Sequence, residues 1–294
     1  MRSRTRLVLA AFLLLASTLR AGAADKIPDG YERRDVEGFT VYVGVSVLHQ
    51  PNDGFGQPTL TCLERELNDL KRILHPKIVG ILQGIPIWVE WDFHDRLSPP
   101  GAVARYFSGS ADELKKAGGD PRKAHNIEVI SLRTLAWARK PGTALQQIVI
   151  LHEMAHAVHH RLLGWDNPEL EAIYQQAMER KLYDKVNDRF GRRGPAYART
   201  NPREYFAEIS CAYLDSCNYF PFNHEQLHGH DALGFKFVKR VWQEPDRFSV
   251  IAVKTDIDTG SKGGTTTTHS DPRNDTFSER DAMLKLDQLR AMLD

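Results

Sequence analysis

The sequence has little cysteine, three residues in 294, and almost no net charge, with 39 basic against 38 acidic side chains. Three cysteines allow at most one intrachain disulfide and leave one thiol over. The balanced charge argues against nucleic acid as a partner, because such proteins carry a pronounced basic excess. No stretch beyond residue 23 is long and apolar enough to span a bilayer, which excludes a multi-span membrane protein. Internal repeats are missing too. What is present, 41% hydrophobic and 26% charged residues, suits one large or two small soluble globular domains with ample material for a core.

The first segment combines Arg2, Arg4 and Arg6, an apolar run from Leu7 to Ala16 and the small residues Ala21-Gly22-Ala23. This pattern predicts a removable export signal over 1–23, and hence a secreted or periplasmic protein with no membrane anchor once it is cut. No cysteine follows the run, which argues against a lipoprotein anchor. In an oxidising compartment the thiols are expected to pair. Cys211 and Cys217 lie in one expected helix, about 9 Å apart along its axis and out of disulfide reach unless that helix ends early, so Cys62 with Cys217 is the preferred pairing.

Alternating β-branched and aromatic residues predict a strand within 38–48, and Leu63, Leu67, Leu70, Ile73 and Leu74 predict an amphipathic helix over 59–74 that Pro76 ends. Further strands are expected at 85–91 and 126–132, with an edge strand near Val103–Phe107 and a short helix at Ala111–Lys116. Helices then follow at about 143–163, 168–182, 202–216 and 231–243. Strands followed by helices predict an α+β domain over 24–245, a small N-terminal mixed sheet with helices and then a helical half. Residues 246–277 read as a flexible Gly/Thr-rich linker. In 278–294, Met283, Leu286, Leu289 and Leu293 recur at helical spacing, a C-terminal helix suited to a partner or to the chain's own domain.

The informative pentapeptide is His152-Glu153-Met154-Ala155-His156. Residues four apart share a helical face, so two imidazoles can hold one Zn²⁺ per chain while Glu153, one position round, faces the open coordination position. Leu145, Ile148, Val149, Leu151, Ala155, Val158 and Leu162 supply an apolar stripe, and Gly164 is a natural stop. Taken alone, the pentapeptide also fits two core histidines beside a solvated glutamate.

A catalytic zinc site needs a third protein ligand. Position 162 is leucine and position 176 glutamine, so two common spacings fail, and His159 and His160 share the first ligands' helix and are hard to bring to the same ion. The better candidate is the segment Tyr197-Ala198-Arg199-Thr200-Asn201-Pro202-Arg203-Glu204-Tyr205-Phe206-Ala207-Glu208. Asn201 can cap a helix that Pro202 opens, placing Glu204 and Glu208 four apart on one face. One carboxylate can ligate the metal and the other can orient a ligand histidine, although Asn-x-x-Glu is also a capping arrangement.

These two motifs resemble the zinc peptidases of the anthrax lethal factor family, in which His-Glu-x-x-His is followed some 45–50 residues later by Tyr-x-Arg-Thr-Asn-x-x-Glu-Phe-Phe-Ala-Glu. Here Glu204 lies 48 residues after His156, and the match covers about 145–216. The resemblance implies a zincin-like fold, with His152, His156 and Glu204 as zinc ligands, Glu153 as general base, Tyr197 as stabiliser of the reaction's oxyanion, Glu208 in support, and a protein or peptide as substrate. The chain departs in having Tyr205 for phenylalanine and Pro202 at the variable position. It also has no counterpart of the toxin's long binding and translocation region, so the toxin's substrate and delivery are not implied.

The expected activity is therefore that of a secreted zinc endopeptidase. The alternative is a non-hydrolytic secreted zinc-binding domain; Glu153 separates the two, because a structural site has no use for a carboxylate at an open coordination position. The basic stretch Arg189, Arg192, Arg193, Arg199 and Arg203 can favour acidic substrates or simply form a solvated hairpin tip.

Overall fold

A computed structural model describes residues 27–253 apart from 94, 99–101 and 141–147. The expected export signal, most of the linker and the C-terminal helix lie outside these residues. A five-stranded mixed sheet has the order β1 (Tyr31–Val36), β2 (Phe39–Gly44), β3 (Ile87–Val89), β5 (Ile127–Val129), β4 (Ala104–Tyr106). β1 (Tyr31–Val36) and β2 (Phe39–Gly44) form an antiparallel hairpin. Glu37 and Gly38 both have positive φ, 56° and 85°, the twist a two-residue hairpin turn requires. A side chain at Gly38 would also run into Gln83.

The chain continues through a short α1 (Val45–Leu48), then α2 (Thr61–Ile73) and α3 (Pro76–Gln83), which carry it back to β3 (Ile87–Val89), parallel to β2. The expected strand within 38–48 thus stops at Gly44, and β1 and α3 were not anticipated. Pro76 does not merely end a helix. His75 accepts a hydrogen bond from the Lys77 amide, and Pro76 occupies the first turn of α3, where its missing N–H has no partner to lose.

β4 (Ala104–Tyr106) follows, then α4 (Ala111–Lys116), β5 (Ile127–Val129) and α5 (Leu132–Ala138). β5 pairs parallel with β3 and antiparallel with β4, leaving β4 on the sheet's outer edge as expected. Period-two alternation divides the sheet's faces. Val41, Val43, Ile87, Val89, Ile127 and Val129 join the apolar core against the helices. The register Tyr42, Trp88, Glu128, Arg105 forms the other face. There, Glu128 is fully buried and paired with both Arg105 and Lys123, and Arg105 reaches Asp95 at 2.9 Å.

α6 (Leu151–Val158) runs through the core with all eight residues buried. It starts at Leu151; the 143–147 part of the expected helix lies outside the described residues, and two amides just before Leu151 are taken by side chains. Ile148 N–H donates to Asp215 at 2.7 Å and Ile150 N–H to Glu66 at 3.0 Å. Its far end widens into a π turn, His159–Leu163, closed by Gly164 at φ +73°. α7 (Pro168–Glu179), the hairpin β6 (Val186–Asn187) and β7 (Arg193–Gly194), α8 (Pro202–Leu214), α9 (His224–His230) and α10 (Ala232–Gln243) complete the helical half. The molecule is therefore α+β with a small mixed sheet and several helices, and no helix among the described residues is long and apolar enough to cross a membrane.

The preferred Cys62–Cys217 disulfide is not formed; all three cysteines are free and buried. α8 ends at Leu214, short of the expected 216, so the chain turns back and brings the Cys217 thiol to Glu208 on α8 instead. Arg189, Arg192 and Arg193 of the basic stretch lie at the hairpin, and three arginines of the stretch are engaged within the protein. Arg192 pairs with Asp188, Arg199 with Asp184, and Arg189 donates to the Cys217 carbonyl.

Candidate metal centre and active site

Two buried helices build the site. α6 presents His152 and His156 on one face, and α8 packs against it. α8 starts where it does because the Asn201 side chain accepts hydrogen bonds from the Arg203 and Glu204 amides, each 2.9 Å, with Pro202 at the first position. Since Asn201 does the capping, the Glu204 side chain is released from that task. It turns inward, fully buried, towards the histidines.

His152 Nε2 lies 3.0 Å from Glu204 Oε2 and 3.1 Å from His156 Nε2, and His156 Nε2 lies 3.4 Å from Glu204 Oε2. Three ligands on a tetrahedral Zn²⁺ at about 2.0–2.1 Å stand roughly 3.3 Å from one another, so these atoms occupy one face of such a tetrahedron. His152, His156 and Glu204 are the one group of three or more potential ligand residues brought together among the described residues. Among the described residues Glu204 Oε1 has no hydrogen-bond partner despite its burial.

The electrostatics fit a cation. Burial works against ionising Glu204, but the adjoining imidazoles outweigh it and hold its pKa down at about 2. Burial likewise opposes charge on His152, yet hydrogen bonding to Cys211, Glu204 and Glu208 drives its pKa well above the usual value. The pocket favours positive charge beside Glu204, and a divalent ion supplies it without protonating a ligand.

Around this set the supporting groups fall into place. Glu208 Oε1 lies 3.1 Å from His152 Nδ1, the ring atom turned away from Glu204. A carboxylate there fixes the tautomer and orientation of a ligand histidine. Glu153, also buried, accepts a 2.8 Å hydrogen bond at Oε2 from the backbone N–H of Tyr106 on β4. Tyr197, in a 3₁₀ turn just before α8, stacks its ring on His152 at 5.9 Å between centroids and 26° between planes.

His159 and His160 stand apart from this group. His159 packs between Trp165 and Phe206, where burial pushes its pKa well down and keeps the ring neutral. His160 lies 2.9 Å from the Tyr106 hydroxyl and stacks on Trp165. The departure at Tyr205 also has a use, since its hydroxyl donates at 2.6 Å to Asp231, the cap of α10.

Two contributors were not anticipated. One is the Tyr106 amide, a backbone group no residue pattern reveals, although the expected edge strand passes through it. The other is the pair of thiols, Cys211 against His152 and Cys217 against Glu208; Cys217 was expected to pair with Cys62. No known protein family, curated protein or solved structure matches the chain.

Proposed function

We propose that the chain is an exported zinc-dependent endopeptidase of zincin type, with His152, His156 and Glu204 as the metal ligands. One observation carries the reading. Three ligand atoms converge at tetrahedral spacing beside a fourth side chain, Glu153, that is held by the sheet's edge strand. A purely structural metal site needs no such carboxylate, and the buried Glu153 is costly unless used.

Bound zinc would supply Lewis acidity, polarising a peptide carbonyl and making water a nucleophile near neutral pH. The chain's own groups do the rest. Glu153, anchored through Oε2 to the Tyr106 amide, takes a proton from the attacking water and delivers it to the leaving nitrogen. Tyr197 stabilises the oxyanion that develops on the attacked carbonyl. Glu208 holds His152 in its ligating orientation. β4, the outer strand, offers backbone along which an extended peptide can add as a further strand.

The test is incubation of the purified protein with a mixed peptide library, with and without a chelator, alongside elemental analysis. Chelator-sensitive internal cleavage by a protein carrying one zinc per chain is expected. Well-folded material that takes up no zinc refutes the reading.

A further inference from the structure

The site described above ends at Glu208, but the hydrogen-bond chain does not. Among the described residues Glu208 has two polar partners, His152 Nδ1 at Oε1 and the Cys217 thiol, which donates to Oε2 at 3.0 Å. The space on this side of Glu208 is a cavity of about 10 Å³ with apolar neighbours including Ala196, Ala198, Ile209 and Ala212. It has room for at most about one water. A buried carboxylate with one oxygen committed to histidine needs a donor for the other, and the thiol is that donor.

The thiol is also held in place. Cys217 N–H donates to the Phe222 carbonyl at 2.9 Å, and the Cys217 carbonyl accepts from Arg189 Nε at 2.8 Å. These bonds fix the backbone immediately after α8 ends, so the Sγ position follows from the turn and not from a freely rotating tail. Burial and the neighbouring Glu208 charge push the thiol's pKa well up, which keeps it as S–H, the form that donates.

We propose that Cys217 is a positioning residue for the metal centre: its thiol holds Glu208 in the orientation that presents Oε1 to His152, and so sets the affinity of the site for zinc. The inference rests on the metal-binding reading above. It assigns Cys217 a reduced, functional state and no part in a disulfide.

The experiment measures the zinc affinity of the full chain by competition with a chromogenic chelator. Outer partners of ligand histidines change affinity by about 10–100-fold, and a group one step further out is expected to act at about three- to tenfold. Cys217→Ala should therefore weaken zinc binding by that amount, and Cys217→Ser, which restores a donor, should return it to within about twofold of wild type. In a Glu208→Ala background, Cys217→Ala should have no further effect. Should the alanine variant fail to fold, Cys217→Val removes the donor while keeping the volume. Unchanged affinity in the donor-less variant, no rescue by serine, or an equal loss in the Glu208→Ala background would each overturn the proposal. If the wild-type chain itself binds no zinc, the metal-site reading falls and this inference with it; a wild type that binds zinc, with Cys217→Ala indistinguishable from it, removes the inference alone.

Discussion

The bond between Glu153 and the edge strand allows the chemical and structural roles of one carboxylate to be separated. In Glu153→Gln the amide oxygen can still accept from the Tyr106 N–H, so the 2.8 Å link is kept while proton transfer is lost. The expected variant folds like wild type, binds zinc, and turns over about 10²–10⁴-fold more slowly, a barrier increase of roughly 2.7–5.5 kcal/mol. Glu153→Ala differs, because it strips the acceptor from an amide on buried Tyr106. An unsatisfied buried donor costs about 1–3 kcal/mol, so this variant should lose stability as well as activity. Denaturant unfolding of the two zinc-loaded variants, with steady-state rates on a peptide found in the library screen, gives both numbers. Near-wild-type turnover in Glu153→Gln would falsify the general-base assignment, and equal stability of the two variants would show that the Tyr106 link does not hold the carboxylate.

Three further outcomes are expected. Tyr197→Phe should keep its stacking on His152 and its zinc while losing about 3–4 kcal/mol of transition-state stabilisation, read as a fall in kcat; unchanged turnover would remove Tyr197 from the scheme. In metal-free protein, protonated His152 stabilises the fold fully below its ordinary pKa of 6.5, and this contribution is lost as pH rises through its elevated native value. Ionised Glu204 contributes above 4.5 and loses its contribution as pH falls towards about 2. Tm in chelator should therefore show a contribution peaking between these limits that is missing in Glu204→Gln, and zinc should extend the stabilisation to higher pH; identical pH profiles for the two proteins would contradict the coupling. On the sheet's far face, Glu128→Ala leaves the buried Arg105 with Asp95 and the buried Lys123 with Glu90 as their remaining carboxylates, and should cost up to about 3 kcal/mol in denaturant unfolding without altering zinc affinity; no measurable loss would mean that Glu128 adds nothing to these pairs.

The amino-acid sequence determined what local rules govern. The 3.6-residue repeat put His152 and His156 on one helical face, Asn201-Pro202 marked the start of α8, the run Ala111–Lys116 behaved as a short helix, and the edge strand expected near Val103–Phe107 is found at Ala104–Tyr106. Each depends on residues a few positions apart, which fix backbone geometry through sterics and nearby hydrogen bonds. Local rules also misjudged some boundaries. Pro76, expected only to end a helix, opens one because His75 supplies its cap, and α8 stops at Leu214, two residues short of the expected end.

Local rules left open which carboxylate meets the imidazoles; the resemblance implied Glu204, and the physical choice is made by the tertiary structure. Glu204 and Glu208 share a face of α8, and the choice follows from how that helix lies across α6, leaving Glu204 at Nε2 and Glu208 at Nδ1 of the same ring. It also decided that a strand amide grips Glu153 and that Cys217 turns back onto Glu208 instead of seeking Cys62. The Glu204 and Glu153 contacts join residues about 50 positions apart and the Cys217 contact nine, across the end of a helix; no periodicity encodes them, because they come from the packing of the core.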